Sequence, residues 1–193
     1  MNWLSAPQLK GKYITLEPLS IEHLDGLKEA VLDGEPWKLW YANVPSPELM
    51  REYIDKAIID SKNGNIAFAV RCNNTDEIVG TTRFYSVDNK NKRAMLGYTW
   101  YSLSVRRSPV NTECKLLLLN HIFETHSAMA VEFRTHFFNQ GSRKAIERLG
   151  AKQDGILRNH QVLKDGSVRD TVVYSIINSE WPAVKNNLQS KCC

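Results

Sequence analysis

Two arginines between a predicted strand and a predicted helix are the residues best placed for chemistry in this sequence. Arg106 and Arg107 follow an aromatic and β-branched run, 98–105, and precede a leucine-rich run. The first run predicts a strand and the second a largely buried helix. A helix N-terminus attracts anions, because its first N–H groups lack partners and its dipole is positive there. The pattern therefore predicts an anion site, with Asn111 or Thr112 as the N-cap.

Length and composition indicate one globular domain, 1–193, with a core of its own: the 193 residues are 42% hydrophobic and 24% charged. The formal charge of +4 is spread along the chain, which argues weakly for an acidic ligand and against a nucleic-acid partner. No apolar run approaches the roughly 20 residues that span a bilayer. The four cysteines lack the spacing of a disulfide framework. We therefore expect a cytoplasmic protein with no membrane partner.

The hydrophobic pattern alternates between strand and helix periods, and helices around a mixed sheet predict an α+β domain. Predicted strands span 8–18, 66–71, 78–85, 93–101, 130–135, 151–162 and 169–177. Predicted helices span 20–33, with Ser20 as cap, 47–62, with Ser46 as cap, 111–124 and 142–149, and a short last helix opens at 179 before a tail, 183–193. A turn is predicted at 164–167.

This order of elements resembles the GNAT superfamily of N-acetyltransferases. The strand, loop and helix at 98–124 occupy the place of that family's acetyl-CoA pyrophosphate loop, Arg/Gln-x-x-Gly-x-Gly/Ala. The segment 139–152, NQGSRKAIERLGAK, resembles the family's Asn-x-x-Ser helix, and 155–175 resembles the RimJ/RimL-type branch, which acetylates protein N-termini and some small amines. The resemblance covers 9–182 and implies a mixed, mostly antiparallel sheet of about seven strands flanked by helices and splayed between strands four and five.

The resemblance implies that acetyl-CoA is a co-substrate and that its acetyl group passes to a primary amine, which attacks directly in a ternary complex. It places Ser142 as the general acid for the leaving thiolate, although the same serine suits a helix cap. It also implies a set of cofactor-binding residues, in which Asn139 has a turn role and Arg143 a surface role as alternatives. The set is Leu103, Val105, Arg106, Arg107, Ser108, Val110, Asn111, Thr112, Asn139, Arg143 and Lys144.

Two departures from the family pattern keep a second reading open. Pro109 stands where the signature has glycine, and a proline has no N–H to give a phosphate. Met95 stands where many relatives carry a glutamate base, so the substrate amine would lose its proton to another residue, to a water chain or to no base at all. The possible bases among the residues are Glu17, Glu77, Glu132 and His160. The alternative is therefore a non-catalytic GNAT-fold protein that binds CoA or a partner through a degenerate pyrophosphate loop.

Aromatic residues are expected to wall the acceptor pocket under a lid formed by 20–62, with core packing as the alternative: Trp37, Tyr41, Tyr85 and Trp100. His121 and His126 are five apart and are not expected to share a helical face, so we expect no metal. A peptide N-terminus, a ribosomal protein, a polyamine and an antibiotic amine all stay open as acceptors, and a homodimer is possible.

Overall fold

The computed structural model describes residues 3–163 and 165–192, so that Lys164 of the predicted turn and Cys193 lie outside the described residues. The strands are β1 (Leu9–Lys10), β2 (Ile14–Pro18), β3 (Ile66–Cys72), β4 (Ile78–Asp88), β5 (Arg93–Tyr101), β6 (Ala130–His136), β7 (Lys152–Val162) and β8 (Val168–Ile177). The α-helices are α1 (Leu24–Leu32), α2 (Met50–Ser61), α3 (Pro109–Asn120), α4 (Gln140–Leu149) and α5 (Trp181–Lys191). Short 3₁₀ turns span Ile21–His23, Pro36–Lys38 and Leu103–Val105.

The strands form one sheet in the order β1-β2-β3-β4-β5-β6-β8-β7. Every neighbouring pair is antiparallel except β5 and β6, which are parallel. The predicted mixed, mostly antiparallel sheet is therefore confirmed. It has eight strands because the predicted first strand, 8–18, turns at Gly11, whose N–H donates to the carbonyl of Ile14 at 2.8 Å, and forms a hairpin. The splay expected between strands four and five therefore lies between β5 and β6.

Each face of the sheet is covered by its own helices, because alternate side chains of the strands point to opposite sides. On one face the buried residues of α3, α4 and α5 pack against β2 to β6 and β8 in the larger core. On the other face α1 and α2 cover a smaller core, which includes Leu27, Met50, Ile54 and Trp100. The sheet thus presents two separate surfaces, and the gap between β5 and β6 opens between them.

The start of α2 and the extent of α5 differ from the sequence-based expectation. Helix α2 begins at Met50 rather than at 47, because 47–49 form a turn. Residues 183–191, expected as a tail, belong to α5, which buries Val184 and Leu188. No helix within the described residues is long and apolar enough to cross a membrane.

Candidate active site

The gap between β5 and β6 is the feature around which the candidate site is built. The two strands pair only through Arg93 with Ala130, Ala94 with Val131, and Met95 with Glu132. Beyond Met95 the strands diverge, although β5 continues along β4 and β6 continues along β8. Backbone groups that face the gap have no ladder partner across it, and such groups bind polar ligands readily. The gap is therefore a cleft with hydrogen-bonding walls.

A bulge shapes the β5 wall of this cleft. Tyr98 adopts a left-handed conformation, with φ of 52°, and the register between β4 and β5 shifts across it, between the pairs Arg83–Gly97 and Thr81–Trp100. A bulge bends a strand and re-aims its side chains. The change in direction sends Trp100 toward α1 and α2 while Thr99 faces α3, where it accepts a hydrogen bond from Lys115 Nζ at 2.8 Å.

The loop after β5 delivers the N-terminus of α3 to the mouth of the cleft. Ser108, not Asn111 or Thr112, is the N-cap: its Oγ accepts from the N–H of Val110 at 3.3 Å and donates to the carbonyl of Val105 at 2.6 Å. The predicted cap was wrong because Pro109 begins the helix at its first position, where its fixed φ suits the turn and no N–H is required. Serine in front of such a proline is a favoured cap.

Arg106 and Arg107 lie beside this helix start, both exposed. Arg106 Nη2 reaches the carbonyl of Tyr101 at 3.4 Å. Arg107 has a positive φ of 62° and no partner for its guanidinium among the described residues. The first turn of α3 and the two cations together form a cluster of donors that fits a diphosphate.

Asp33 fixes the turn that precedes the arginines, a role that the sequence did not reveal. Its carbonyl accepts from the N–H of Leu103 at 3.0 Å, and its carboxylate accepts from the N–H of Ser104 at 2.8 Å. The Ser104 backbone N–H, then the Ser104 hydroxyl and the charge of Arg106, lower the pKa of Asp33. The backbone N–H of Leu103, expected to bind the cofactor, therefore already has a partner.

Two other residues expected to bind the cofactor have protein partners. Thr112 is 2% exposed, and its Oγ1 accepts from Arg148 Nη2 at 3.0 Å. Arg143 Nε donates to the hydroxyl of Tyr174 at 3.2 Å, and Nη1 donates to the carbonyl of Phe137 at 3.4 Å, so Arg143 anchors α4 to β8. Lys144, one residue further along α4, is exposed.

Helix α4 follows the end of β6 and brings Ser142 to the opposite wall of the cleft. Asn139 is the N-cap, because its Oδ1 accepts from the N–H of Ser142 at 3.0 Å. The alternative in which Ser142 caps the helix is therefore excluded. The Ser142 hydroxyl has no hydrogen-bond partner in the described part of the chain, which leaves its proton available for a ligand.

The comparisons with known proteins agree with this geometry. A family model described as an acetyltransferase (GNAT) domain matches residues 14–152. The chain belongs to the GNAT acetyltransferase family. A GCN5-related N-acetyltransferase from Brucella melitensis is 28% identical and superposes with a TM-score of 0.87, covering 98% of this chain and 87% of that one. An uncharacterised N-acetyltransferase, p20, from Bacillus licheniformis is 23% identical over 87% of this chain and 94% of its own.

Mycobacterium smegmatis RimJ, whose structure was solved with CoA-disulfide, is 17% identical and has a TM-score of 0.79, over 96% of this chain and 93% of that one. At that identity the likeness shows the shared fold. The predicted resemblance to GNAT proteins is thus confirmed. GNAT enzymes use acetyl-CoA, and the donors at the start of α3 fit its diphosphate, as described above.

On the acceptor side of this GNAT cleft, Tyr85 lies against the bulge. A Cβ added to Gly97 would meet Tyr85 Cε1 at 3.0 Å, so glycine is needed for this approach. The ring also packs edge-on against Tyr98, with centroids 5.0 Å apart. Burial, and then the proximity of Tyr98, raise the pKa of Tyr85 to about 12. The phenol is therefore neutral at physiological pH and can donate a hydrogen bond.

The other predicted aromatic residues divide between pocket and core. Tyr41 packs against His136, with centroids 6.1 Å apart, at the end of β6. Trp100 is 5% exposed within the core beneath α1 and α2, and Trp37 packs against the same core. The core alternative therefore describes Trp37 and Trp100, because the bulge turns Trp100 away from the cleft.

Three residues that the sequence analysis did not single out lie beside Tyr41. Trp40, His136 and Phe138 pack together and line a groove of about 710 Å³, whose other wall is the β7–β8 hairpin. His136 Nδ1 accepts from the N–H of Phe138 at 3.0 Å, which places the ring proton on the buried Nε2. Burial, then the charge of Arg169, lower the pKa of His136. The aromatic run 36–42 was the only sequence signal for this groove.

The possible bases lie at very different distances from the cleft. Glu17, on β2, pairs with Arg71 and His23, and these partners, Arg71 above all, lower its pKa to about 2 against the effect of burial. Glu132 is the register partner of Met95 at the point of divergence.

Of the remaining two possible bases, one lies at an exposed turn and the other contacts a hydroxyl of β8. Glu77 is exposed beside a turn. His160 Nδ1 lies 3.0 Å from the Thr171 hydroxyl on β8. Of the four carboxylates and imidazoles that the sequence offered, Glu132 is therefore the one that adjoins the cleft.

One histidine pair contradicts the sequence-based expectation. His121 and His126 meet with their Nε2 atoms 3.2 Å apart, because His121–Thr125 form a π-helical turn, in which residues five apart share a face. Both rings also contact Ser5. No group of three or more potential metal ligands occurs among the described residues.

Proposed function

We propose that this chain is an acetyl-CoA-dependent N-acetyltransferase that moves an acetyl group from the CoA thioester to a primary amine by direct attack in a ternary complex. The observation that carries the proposal is the divergence of β5 from β6 with the Ser108-capped start of α3 at its mouth. The bound cofactor supplies an activated acyl group. Everything else in the reaction is positioning, charge and proton control.

The residues divide into a binding end and a reacting end. At the binding end, Arg106, Arg107 and the first N–H groups of α3 hold the diphosphate, with Lys144 as a further cation on α4. The side-chain amide nitrogen of Asn139 is available to the pantetheine arm, since its oxygen caps α4. Charge-assisted contacts to phosphate are about twice as strong as neutral ones.

At the reacting end, two hydroxyls have complementary roles. The Ser142 hydroxyl gives a proton to the departing thiolate and is restored by the proton that the attacking amine loses, a role that its lack of any other partner in the described residues supports. The neutral Tyr85 phenol donates a hydrogen bond beside the bulge, where the acetyl carbonyl needs polarisation. Trp40, Tyr41 and the lid 20–62 shield the amine from water.

Calorimetric titration with acetyl-CoA, followed by thiol release across pooled amines read by mass, tests the proposal. We expect saturable binding and a product heavier by one acetyl group. No binding at millimolar acetyl-CoA would remove the proposal. Binding without transfer to any amine would favour the non-catalytic GNAT-fold alternative, which the missing N–H of Pro109 motivates.

A further inference from the structure

Arg83, in the middle of β4, is a buried arginine without an ionic partner. It is 3% exposed and lies on the sheet face covered by α1 and α2. Its Nε and Nη2 have no hydrogen-bond partner among the described residues, and no carboxylate there pairs with it. Burying an unpaired charge is strongly unfavourable, so a group of this kind has a partner when the protein works.

Two tyrosines hold the guanidinium in place. Its carbon lies 4.7 Å from the ring centroid of Tyr53 on α2 and 4.2 Å from that of Tyr98 at the bulge. Contacts with the two rings orient the guanidinium, and they leave its Nε–Nη2 edge without a hydrogen-bond partner among the described residues. The Tyr53 hydroxyl is also buried and without a partner in the described chain. Cation–π contacts are weaker than the cost of burying the charge.

The same structure shows what this edge of an arginine binds. Arg71, on the neighbouring strand β3, uses Nε and Nη2 to bind the two carboxylate oxygens of Glu17, at 2.8 and 3.1 Å. In Arg83 the same two nitrogens are the ones without partners. Two parallel N–H groups on one edge match the two oxygens of a carboxylate.

Arg83 lies next to the reacting end of the cleft. It is the register partner of Gly97, against which Tyr85 packs, and neighbouring strands are about 4.8 Å apart. Tyr85 follows two residues later on the same face of β4. A carboxylate bound to Arg83 would therefore hold an amine only a few bonds away beside the bulge.

The surroundings carry an excess of positive charge. Glu132 pairs with both Arg134 and Arg93, so two positive charges face one negative charge. Arg169 on β8 donates from Nε to the Thr171 hydroxyl at 3.0 Å and has no carboxylate partner in the described residues. Polyamines and other polycations are repelled from such a surface, and anionic acceptors are attracted.

We propose that Arg83 binds a carboxylate of the acceptor, so that the acceptors are amines that carry a carboxylate within a few bonds of the nitrogen. This inference rests on the proposed acetyl transfer and names its substrate class. The shared chemistry has two sources: a free amino acid, or a peptide whose first residue is aspartate or glutamate.

The test compares the wild-type chain with Arg83→Met. Without ligand, we expect the variant to melt at the same or a higher temperature, because an unpaired buried charge has been removed. The twenty free amino acids should include some that raise the melting temperature of the wild type, and none should raise that of the variant. Their carboxamides should raise neither. Peptides beginning with Asp or Glu, compared with Asn or Gln, separate the two sources.

Kinetics give a second readout. Arg83→Met should raise KM for the carboxylate acceptor about 10–100-fold, the worth of charge-assisted hydrogen bonds, and leave KM for acetyl-CoA unchanged. Arg83→Lys should restore part of the loss. Arg51→Gln, which alters an exposed arginine of α2, serves as the control.

Three results would overturn the inference: equal transfer to acids and carboxamides, no thermal shift from any amino acid or acidic peptide, or an equal loss of acetyl-CoA binding in Arg83→Met. The first of these would leave the acetyltransferase proposal intact. The calorimetric titration with acetyl-CoA decides that proposal separately.

Discussion

Glu113 ties the start of α3 to the first hairpin, and its replacement is expected to weaken the whole scaffold. The residue is 6% exposed. Its Oε1 accepts from the N–H of Lys12 at 2.7 Å, and its Oε2 accepts from those of Tyr13 and Ile14 at 2.7 and 2.9 Å. Three backbone donors of the hairpin therefore depend on one carboxylate that lies about 100 residues away.

The magnitude follows from counting these donors. In Glu113→Gln the amide oxygen can serve two of the three, while the NH₂ group faces the third as donor against donor. One charge-assisted hydrogen bond is worth about 1.5–3 kcal/mol, so the loss should be about 2 kcal/mol. Glu113→Ala leaves all three donors without the carboxylate and should cost about 4 kcal/mol, a large part of a typical stability of about 5–15 kcal/mol.

Urea unfolding measures this loss. With a slope of about 2 kcal/mol per molar, Glu113→Gln should lower the midpoint by about 1 M without a change of slope. Glu29→Gln, on the exposed side of α1, should move the midpoint by no more than about 0.2 M. If the urea midpoint of Glu113→Gln equalled that of the Glu29→Gln control, the Glu113 carboxylate would not be the group that joins α3 to the hairpin.

Three further predictions concern the cleft and its supports. Ser142→Ala should lower kcat by about 10²-fold or more with little change in acetyl-CoA affinity, because it removes a proton donor; an unchanged kcat would refute that role. Arg106→Ala should weaken acetyl-CoA binding more than Lys144→Ala in calorimetry, since Arg106 adjoins the helix start, and equal losses would contradict this. The pKa of Glu17 falls from 4.5 to about 2 on folding, so its stabilising effect is complete above pH 4.5 and is lost as the pH falls toward 2. Glu17→Gln should flatten the acid limb of the unfolding free energy in that window, and an unaltered limb would contradict it.

The parts of the fold that follow from local pattern could be read from the sequence. Alternation in 93–101 and the leucine-rich run after it locate β5 and α3, and the segment 139–152 locates α4. Boundaries that depend on distant contacts could not. The first strand, 8–18, alternates without interruption, yet it breaks at Gly11, where a Cβ would meet the Glu113 carboxyl carbon at 2.5 Å. No local pattern encodes that approach.

The candidate site likewise contains residues that local motifs predict and residues whose positions depend on distant contacts. Arg106, Arg107 and Ser142 could be predicted as site residues because the roles proposed for them depend on position in a motif. Trp100 was expected to line the acceptor pocket but lies in the core, because the bulge at Tyr98 turns the side chains that follow it. Trp40, which the sequence analysis did not single out, lines the groove beside His136. This bulge coincides with a register shift against β4, and periodicity within β5 does not reveal such a shift.

Arg83 went unnoticed for a related reason. In the sequence it is one charged residue in an apolar strand, a pattern typical of a side chain that reaches solvent. Only its burial, at 3% exposure, and its contacts with the rings of Tyr53 and Tyr98 show that it is enclosed. The distinction between a solvated and a buried arginine thus arises from tertiary contacts made by α2, 30 residues earlier in the chain.

Pro109 bears on whether the pyrophosphate loop is degenerate, and its position argues against a large defect. At the first position of α3 its missing N–H is one that the helix itself never uses. The loss is confined to one charge-assisted hydrogen bond to phosphate, about 1.5–3 kcal/mol, or about 10–150-fold in affinity. Pro109→Gly regains that donor but frees the backbone in the unfolded chain, which destabilises the protein by up to about 1 kcal/mol.

We therefore expect Pro109→Gly to tighten acetyl-CoA binding in calorimetry by no more than about 150-fold, the worth of one charge-assisted hydrogen bond, and to lower the melting temperature. Pro109→Ala, which restores the N–H without the added freedom of glycine, is the matched control and should match the gain in affinity. A gain of about 1,000-fold or more would mean that the proline disrupts the loop beyond one hydrogen bond. Ser108 and the two arginines would then be arranged around a site that this residue disables, as the non-catalytic alternative requires.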